Sequence, residues 1–382
     1  MIQYIIRRLL VSIPALLGII FIVFIIARLL PGDPCVAALG ERATEEVCAQ
    51  FIADRGLDKA IIPGLYKLQD GGFELALQDI PGTLLDNQFV LYLSQVATGD
   101  LGDSFRYSRP VTEILIERLP TTIELAFYAL LFASIVGISL GLIAALRRNS
   151  KADVGTMMIA TLGVSIPIFV LGLVLQYIFA VQLRGTPFAL PPSGRLSPGQ
   201  QFETIPEAWG LENLDGFVAV VFEFLSNIYT LNFLITGQWG NLVDAYQHLI
   251  LPVIALGTIS LAIIARLTRS SLLEVLGNDY IRTARAKGVA NRNVIRKHAF
   301  RNAMLPVVTV IGLQLGLLLA GAVLTETIFN LTGLGKTMAE SIFSREFIVI
   351  QAFTVVIAVI YMTVNLVVDV SYAFLDPRIR LK

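Results

Sequence analysis

Long apolar runs, separated by shorter polar segments, set the pattern of this 382-residue chain. Six runs are about 20 residues or longer and carry few charges, which is the length that an α-helix needs to cross a bilayer core of about 30 Å. They cover 9–30, 121–146, 154–181, 249–267, 304–325 and 348–374. The pattern predicts an all-α polytopic membrane protein with six transmembrane helices.

A seventh apolar segment, 216–236, is almost long enough to cross as well. If it crossed, every later segment would change sides, and Glu223 would lie in hydrocarbon at a cost of about 3 kcal/mol. The nine basic residues between Arg266 and Arg301 would then face outward, against the tendency of Lys and Arg to stay on the cytoplasmic side. We therefore predict an interfacial or re-entrant helix on the outer side.

Composition and charge agree with this topology. The chain is 55% hydrophobic and 15% charged, with a mean hydropathy of +0.73, which is typical of a membrane protein. The net charge of zero hides an asymmetry, because the inner segments are basic and the outer segments are rich in acids. Basic inner residues include Arg7, Arg8, Arg147, Arg148 and Lys382. This distribution predicts a multi-pass protein of the cell (inner or plasma) membrane with both termini in the cytoplasm.

The outer segment that follows the first span is too long to be a bare connector. We divide the chain into 1–118, the first transmembrane helix with an extracytoplasmic subdomain over 31–118, and 119–382, a five-helix core. The first span lacks an Ala-x-Ala-type exit, so we expect it to remain as an anchor. Thr44 and Gly56 are suited to start and stop a helix over 44–54. The role of 68–94 stays open, since its acidic excess suits either a binding protein or solvent.

Cys35 and Cys48 are the two cysteines of the chain, and both fall in this outer segment. A bond between them would close a loop of about 14 residues and add about 3 kcal/mol of stability in the chain-entropy model. An extracytoplasmic compartment permits such a bond. Two unpaired buried thiols are the alternative, so the disulfide is an expectation.

Several polar or helix-breaking residues in the spans are candidates for a pathway or gate. Pro167 removes one backbone hydrogen bond, so the third span should kink near Ser165 and Pro167 in the middle of the membrane. Such a kink serves either a pathway or simple packing. Gln176 and Gln314 could contact a translocated substrate, but hydrogen bonds between helices are at least as common.

The sequence offers no constellation for catalysis. It has two histidines, His248 and His298, and no HExxH motif, His/Cys cluster or Ser-His-Asp set. We predict no catalytic residue, no metal site and no nucleic-acid partner. The charged residues inside the spans lie near span ends, where snorkelling is inexpensive; they are Arg28, Glu124 and Asp369. A carrier driven by protons or sodium ions would more often show an acid in mid-membrane.

The triplet Gly335-Lys336-Thr337 matches the last three residues of a phosphate-binding loop motif. The first glycine of GxxxxGK[ST] would have to stand at position 330, which is Asn330, and no hydrophobic strand of a nucleotide-binding fold precedes it. We therefore predict that this stretch does not bind a nucleotide.

The segment 278–306 is basic and helix-forming, and it joins two apolar runs. Asn278 or Asp279 can cap a first helix over 280–287, and Gly288 supplies a left-handed turn that ends it. Asn291 or Asn293 can cap a second helix that runs to 303, before Pro306 opens the next span. We predict a helix–Gly–helix elbow that docks another protein. A solvated loop that only sets topology is the alternative.

Two stretches of this elbow, DYIRTARAKG at 279–288 and HAFRNAMLP at 298–306, resemble the cytoplasmic coupling (EAA) loop of ATP-binding-cassette importer permeases, especially the dipeptide and oligopeptide branch. Arg282 stands where the name-giving glutamate would be, and the spacing from Gly288 to Pro306 exceeds that of sugar importers. Both departures fit the peptide branch. Four further stretches of this chain also resemble segments of the family. They are the opening through Pro34, 99–126, ETIFNLTGLG at 326–335 and LDPRIR at 375–380. The likeness is weakest over 68–94 and 200–245.

The resemblance implies a type I importer permease that forms, with a second related permease, the path for di- or oligopeptides. It further implies cytoplasmic ATP-binding subunits, which would hold the ATP and magnesium, and an extracytoplasmic substrate-binding protein. No cofactor is expected in this chain. Segment 326–335 would act as an external gate, which makes Glu326 a gate candidate. The ATPase-coupling residues would be Asp279, Tyr280, Arg282, Ala284, Arg285, Ala286, Lys287, Gly288 and Arg292.

Importers of nickel or oligosaccharides share this build and are alternatives within the same class. A carrier or channel that works without an ATPase, or a membrane scaffold or receptor, would belong to a different class. Co-purification with an ATPase distinguishes these groups, because only the importers require one.

Overall fold

Apolar runs form helices in this chain because backbone N–H and C=O groups in hydrocarbon must find partners within their own segment. The computed structural model describes residues 2–29, 35, 43–54, 56–67, 72–211, 214–344 and 346–375. The helices are α1 (Ile2–Leu29), α2 (Glu45–Asp54), α3 (Ile80–Thr83), α4 (Gln88–Thr98), α5 (Val111–Leu146), α6 (Lys151–Ser165), α7 (Ile168–Gln176), α8 (Ile205–Ala208), α9 (Gly216–Ser226), α10 (Tyr229–Thr236), α11 (Trp239–Leu276), α12 (Asp279–Ala286), α13 (Asn291–Asn293), α14 (Arg301–Ile328), α15 (Leu334–Phe343) and α16 (Phe347–Leu375).

Short irregular elements complete the secondary structure. Two stretches are π-helical, Tyr177–Gln182 and Val294–Phe300, and Leu77–Asp79 is a 3₁₀ turn. Two small antiparallel sheets pair β1 (Leu65–Lys67) with β2 (Phe73–Leu75) and β3 (Asp103–Ser104) with β4 (Arg109–Pro110). Residues 376–382, which carry most of the predicted closing pattern, and Pro34 lie outside the described residues.

The prediction of an all-α polytopic membrane protein is confirmed. Among the described residues, five helices are long and apolar enough to cross a membrane, and two bent helix pairs raise the number to seven if each pair counts as one span. The six predicted spans lie within this range. They correspond to the five helices plus the pair α6–α7. The location of the pair α9–α10 on the outer side stays a prediction.

In both bent pairs, the angle between the two helix axes is much larger than that of a proline kink. The axes of α6 and of the segment 168–182 differ by 102°, and those of α9 and α10 differ by 99°. Ile166 ends α6 with an extended ψ of 122°, because a proline disfavours helical geometry in the residue before it, and Pro167 is the N-cap of α7. The predicted kink at Pro167 is therefore a full break between two helices.

The chain divides into two compact units. The amino-terminal unit comprises Leu9–Glu117 and Met338–Val359, and the core unit comprises Met1–Arg8, Arg118–Thr337 and Ile360–Lys382. The change of unit at 117/118 lies next to the boundary expected at 118. Residues 338–359, which the sequence division gave to the five-helix core, group with the amino-terminal unit.

The amino-terminal unit is held by a disulfide and by buried polar contacts. Cys35 and Cys48 are bonded, with a Cα–Cα distance of 5.5 Å. Helix α2 begins after Thr44, whose Oγ1 accepts from the Val47 N–H at 3.4 Å, and Gly56 follows it with φ +60°. The buried carboxylate of Glu346 accepts a hydrogen bond of 2.8 Å from the Ser104 hydroxyl, which fixes the β3–β4 hairpin.

The core unit is built around α11. Two glycines of α5 allow close approach, since a Cβ on Gly137 would lie 2.9 Å from the Leu261 carbonyl oxygen and one on Gly141 would lie 2.6 Å from that of Ala265. A Cβ on Gly163 of α6 would lie 2.1 Å from the Thr258 methyl group. Small residues thus let α5 and α6 pack directly on the α11 backbone.

Candidate functional site

The elbow has the predicted helix–Gly–helix backbone, but its caps and its end differ from the prediction. The N-cap of the second helix is Ala290, and not Asn291 or Asn293. Helix α12 begins after Asn278, whose side chain makes no capping hydrogen bond, and Gly288 has φ +75°, the left-handed geometry that glycine adopts without strain. After Asn291–Asn293 the chain continues through the π-helix into α14. The second helix therefore does not stop at 303, and Pro306 lies inside α14.

One face of the elbow is anchored by a buried apolar cluster. Ile281 of α12 and Val294, Ala299 and Ala303 beyond the turn are fully buried. They pack with Leu272 near the end of α11 and with Ala145 near the end of α5; Ala284 and Val289 are partly buried against the same cluster. Since burial of apolar side chains stabilises such contacts, the elbow is packed firmly against the ends of α5, α11 and α14.

The opposite face of the elbow is exposed and basic. Tyr280 is 42% exposed, and the exposed residues around it are Asp279, Arg282, Thr283, Arg285, Ala286, Lys287, Gly288 and Arg292. Arg282 lies 3.4 Å from the Asp279 carboxylate, with both side chains largely solvated, so this pair contributes little to stability. The Tyr280 hydroxyl accepts from the Asn302 side-chain amide at 3.0 Å, which orients the ring.

This arrangement is suited to binding a protein surface. A rigid apolar anchor holds a short helix whose solvent side offers three basic side chains, Arg282, Arg285 and Lys287, and a small residue, Ala286. No heavy atom lies within 4 Å of the position of a Cβ on Gly288, so the turn itself is open to a partner. Of the coupling residues named from the sequence, Ala284 alone faces inward. The described residues contain no group of three side chains suited to hold a metal ion.

The pathway candidates lie apart from the elbow and make ordinary contacts. Ser165 is exposed and donates to the Thr161 carbonyl oxygen at 3.1 Å. Gln176 donates to the carbonyl oxygens of Pro192 at 2.7 Å and Ile328 at 3.2 Å, and Gln314 is buried. For Gln176 the observed contacts are those of a side chain that joins segments of the core.

Glu326 is a buried carboxylate that caps α15. It accepts hydrogen bonds from the Thr122 hydroxyl at 2.6 Å and from the Lys336 backbone N–H at 2.9 Å. A Cβ on Gly333 would lie 2.5 Å from its carboxyl atoms. The carboxylate thus occupies the helix N-terminus where a bound anion would sit, and the Gly335-Lys336-Thr337 triplet has no free cradle for a phosphate there.

Two charged pairs of the core unit were missed by sequence reasoning. The carboxylate of Glu124 is 2.8 Å from the Arg195 guanidinium, with side chains only 2% and 10% exposed. Asp153 and Arg269 form a two-pronged pair at 2.7 and 2.8 Å. Neither pair has a sequence signal, because the partners are 71 and 116 residues apart.

Comparison with known proteins assigns both parts of the sequence to one family. The profile of the family described as binding-protein-dependent transport system inner membrane component matches residues 137–381. The profile of the amino-terminal part of such membrane components matches residues 1–126. Together the two matches span nearly the whole chain.

Full-length relatives share this assignment. The chain is 41% identical over 380 residues to the dipeptide transport system permease protein DppB of Alkalihalophilus pseudofirmus, and 41% identical over 383 residues to that of Escherichia coli strain K12, covering 100% of both partners in each case. It is 35% identical over 382 residues to the glutathione transport system permease protein GsiC of Salmonella choleraesuis, again over the full length of both chains.

Proposed function

The chain belongs to the family of binding-protein-dependent transport system inner membrane components, and from this premise we propose that its elbow, within 278–306, receives the ATPase of a peptide importer. The chain is a permease subunit of such an importer, since full-length relatives at about 40% identity are dipeptide permeases. ATP hydrolysis is the work of separate subunits in this family.

The observation that carries the proposal is the two-faced elbow. Its inner face is buried with the ends of α5 and α11, and its outer face presents exposed Arg282, Arg285 and Lys287. Acidic groups on an ATPase rim would complement this charge. Closure of the ATPases on ATP would displace the elbow, and rigid rotation of the attached helices would switch access to the translocation path.

The remaining partners and the topology are part of the same proposal. A second related permease would complete the path, and a substrate-binding protein would deliver the peptide from outside. The basic residues near both ends and in the elbow support a cytoplasmic location for these segments, because Lys and Arg prefer that side. Segment 326–335, which contains Glu326, then lies on the extracytoplasmic side and acts as a gate element. ATP and magnesium would be held by the ATPase subunits.

Replacement of Gly288 by valine tests the docking role. A β-branched residue at φ +75° costs roughly 1–3 kcal/mol of backbone strain, so the turn should distort while the buried spans stay intact. We expect Gly288→Val to reach the membrane at normal levels and to reduce uptake of a radiolabelled dipeptide at least about tenfold, with loss of substrate-stimulated ATP hydrolysis.

Gly199→Val is the matched control. Gly199 has φ +84° and, like Gly288, no heavy atom within 4 Å of its Cβ position, but it lies in the loop between α7 and α8. The same strain at that place should leave uptake within about twofold of the unmodified chain. Normal uptake by Gly288→Val would contradict the proposed coupling role.

A further inference from the structure

A second contact in the core unit lies close to the elbow and is explained neither by the docking surface nor by apolar packing. Asp153, in the first turn of α6, receives two parallel hydrogen bonds from Arg269 of α11, from Nε to Oδ1 at 2.7 Å and from Nη2 to Oδ2 at 2.8 Å. The Asp153 side chain is 5% exposed and that of Arg269 is 30% exposed. Two parallel hydrogen bonds fix the relative orientation of the two side chains in a way that a single bond does not.

The turn that carries Asp153 is preorganised around this carboxylate. Asn149 has φ +61°, uncommon for a residue other than glycine, and its backbone N–H donates to Asp153 Oδ2 at 3.0 Å. Ser150 caps α6 by accepting from the Asp153 N–H at 3.3 Å. By binding Asp153, Arg269 therefore fixes the first turn of α6 together with the turn at Asn149 that precedes it.

On α11 the pair lies one turn from the anchor of the elbow. Leu272 follows Arg269 by three residues, so the two occupy neighbouring positions on one helix face. Leu272 is fully buried in the cluster that contains Ile281 of the elbow and Ala145 of α5. One face of α11 thus contacts both the elbow and, through Arg269, the beginning of α6.

Helix α6 leads from this pair to the sharp break before α7. The axes on the two sides of the break differ by 102°, and beyond it Gln176 donates to the carbonyl oxygens of Pro192 and Ile328. The α6–α7 element thus connects the Asp153–Arg269 pair with the segment near Ile328, at the far end of α14 from the elbow.

We propose that the Asp153–Arg269 pair is a positioning contact that transmits movement of the elbow to the bent α6–α7 element. This inference rests on the proposed coupling function. With the pair in place, rotation of the end of α11 carries the start of α6 with it. Without the pair, the elbow still receives the ATPase, but α6 and α7 follow its movement incompletely.

The test compares uptake with ATP hydrolysis in the whole importer. The complex, purified through a tag on this chain, is reconstituted in liposomes with the binding protein outside and ATP inside. For Asp153→Asn and Arg269→Lys we expect ATP hydrolysis within about threefold of normal and dipeptides transported per ATP reduced about tenfold. Lysine keeps the charge of Arg269 but cannot form two parallel hydrogen bonds, so Arg269→Lys separates pair geometry from charge.

A matched variant distinguishes coupling from stability. Arg266→Gln removes an exposed charge from the same helix and should leave the ratio unchanged. An unchanged ratio in both Asp153→Asn and Arg269→Lys would overturn the inference, as would an equal fall in hydrolysis and uptake. In that case loss of coupling by Gly288→Val would still support the docking role of the elbow.

Discussion

At the scale of single residues, the Glu124–Arg195 pair buries two opposite charges in the core unit, with side chains 2% and 10% exposed. The Glu124 carboxylate accepts from the Thr230 N–H and hydroxyl at 2.7 and 2.6 Å and from Arg195. The Arg195 guanidinium also lies 3.5 Å from the centre of the Tyr229 ring. Only the tertiary fold reveals this pairing.

Removal of one member of this pair should destabilise the core unit. Arg195→Met leaves a buried carboxylate without its cation, and breaking a buried pair in this way costs about 3–5 kcal/mol. We expect a smaller loss for Glu124→Gln, and partial recovery when both changes are combined, because no buried charge then remains. Thermal unfolding of the purified protein in detergent measures all three variants.

A half-exposed pair serves as the control for this series. Arg109 and Glu117 form a salt bridge with side chains 34% and 35% exposed, and such pairs contribute about 1 kcal/mol or less. Glu117→Gln should therefore shift the unfolding midpoint much less than Arg195→Met. Equal shifts would show that the Glu124–Arg195 pair is no more than a surface contact.

At the scale of helices, hydropathy located the spans but not their ends. The predicted span 249–267 is part of α11, which has 38 residues and a length of about 57 Å, far beyond the bilayer core of about 30 Å. Its polar ends are stabilised by protein contacts instead of lipid, so an apolar window cannot detect them. A kink at Pro167 was expected from the sequence, whereas the full break and its angle of 102° depend on packing.

The close contact between α5 and α11 gives a prediction at the same scale. A Cβ on Gly141 would lie 2.6 Å from both the Ala265 carbonyl oxygen and the Thr268 Cβ, so even alanine must push the two helices apart. Overpacking of this kind costs about 1–3 kcal/mol. Gly141→Ala should lower the unfolding midpoint of the purified importer and its yield in the membrane.

Gly155→Ala is the corresponding control on α6. No heavy atom lies within 4 Å of its Cβ position, and alanine is the better helix former by roughly 1 kcal/mol. This variant should be as stable as the unmodified chain or more so. A midpoint for Gly141→Ala equal to that of Gly155→Ala would contradict close packing of α5 on α11.

At the scale of the whole molecule, the sequence was sufficient for the class of protein and for its family. Apolar length and the distribution of Lys and Arg predicted a polytopic helical protein, and the 279–288 and 298–306 motifs pointed to the importer permeases, which the full-length relatives confirm. The sequence could not supply the inward orientation of Ala284, the anchoring of Ile281 against Leu272, or the Asp153–Arg269 pair. Those features depend on contacts between segments far apart in the chain.

A permease that is driven from the cytoplasm requires the exposed face of its elbow to contact the ATPase. A photoactivatable benzophenone amino acid in place of Arg282, whose side chain is 75% exposed, should cross-link to the ATPase subunit in cell membranes. The same probe in place of Phe217, which is 81% exposed on α9, should not. A cross-link from position 282 to an extracytoplasmic protein, or from position 217 to the ATPase, would contradict a permease driven from the cytoplasm through this elbow.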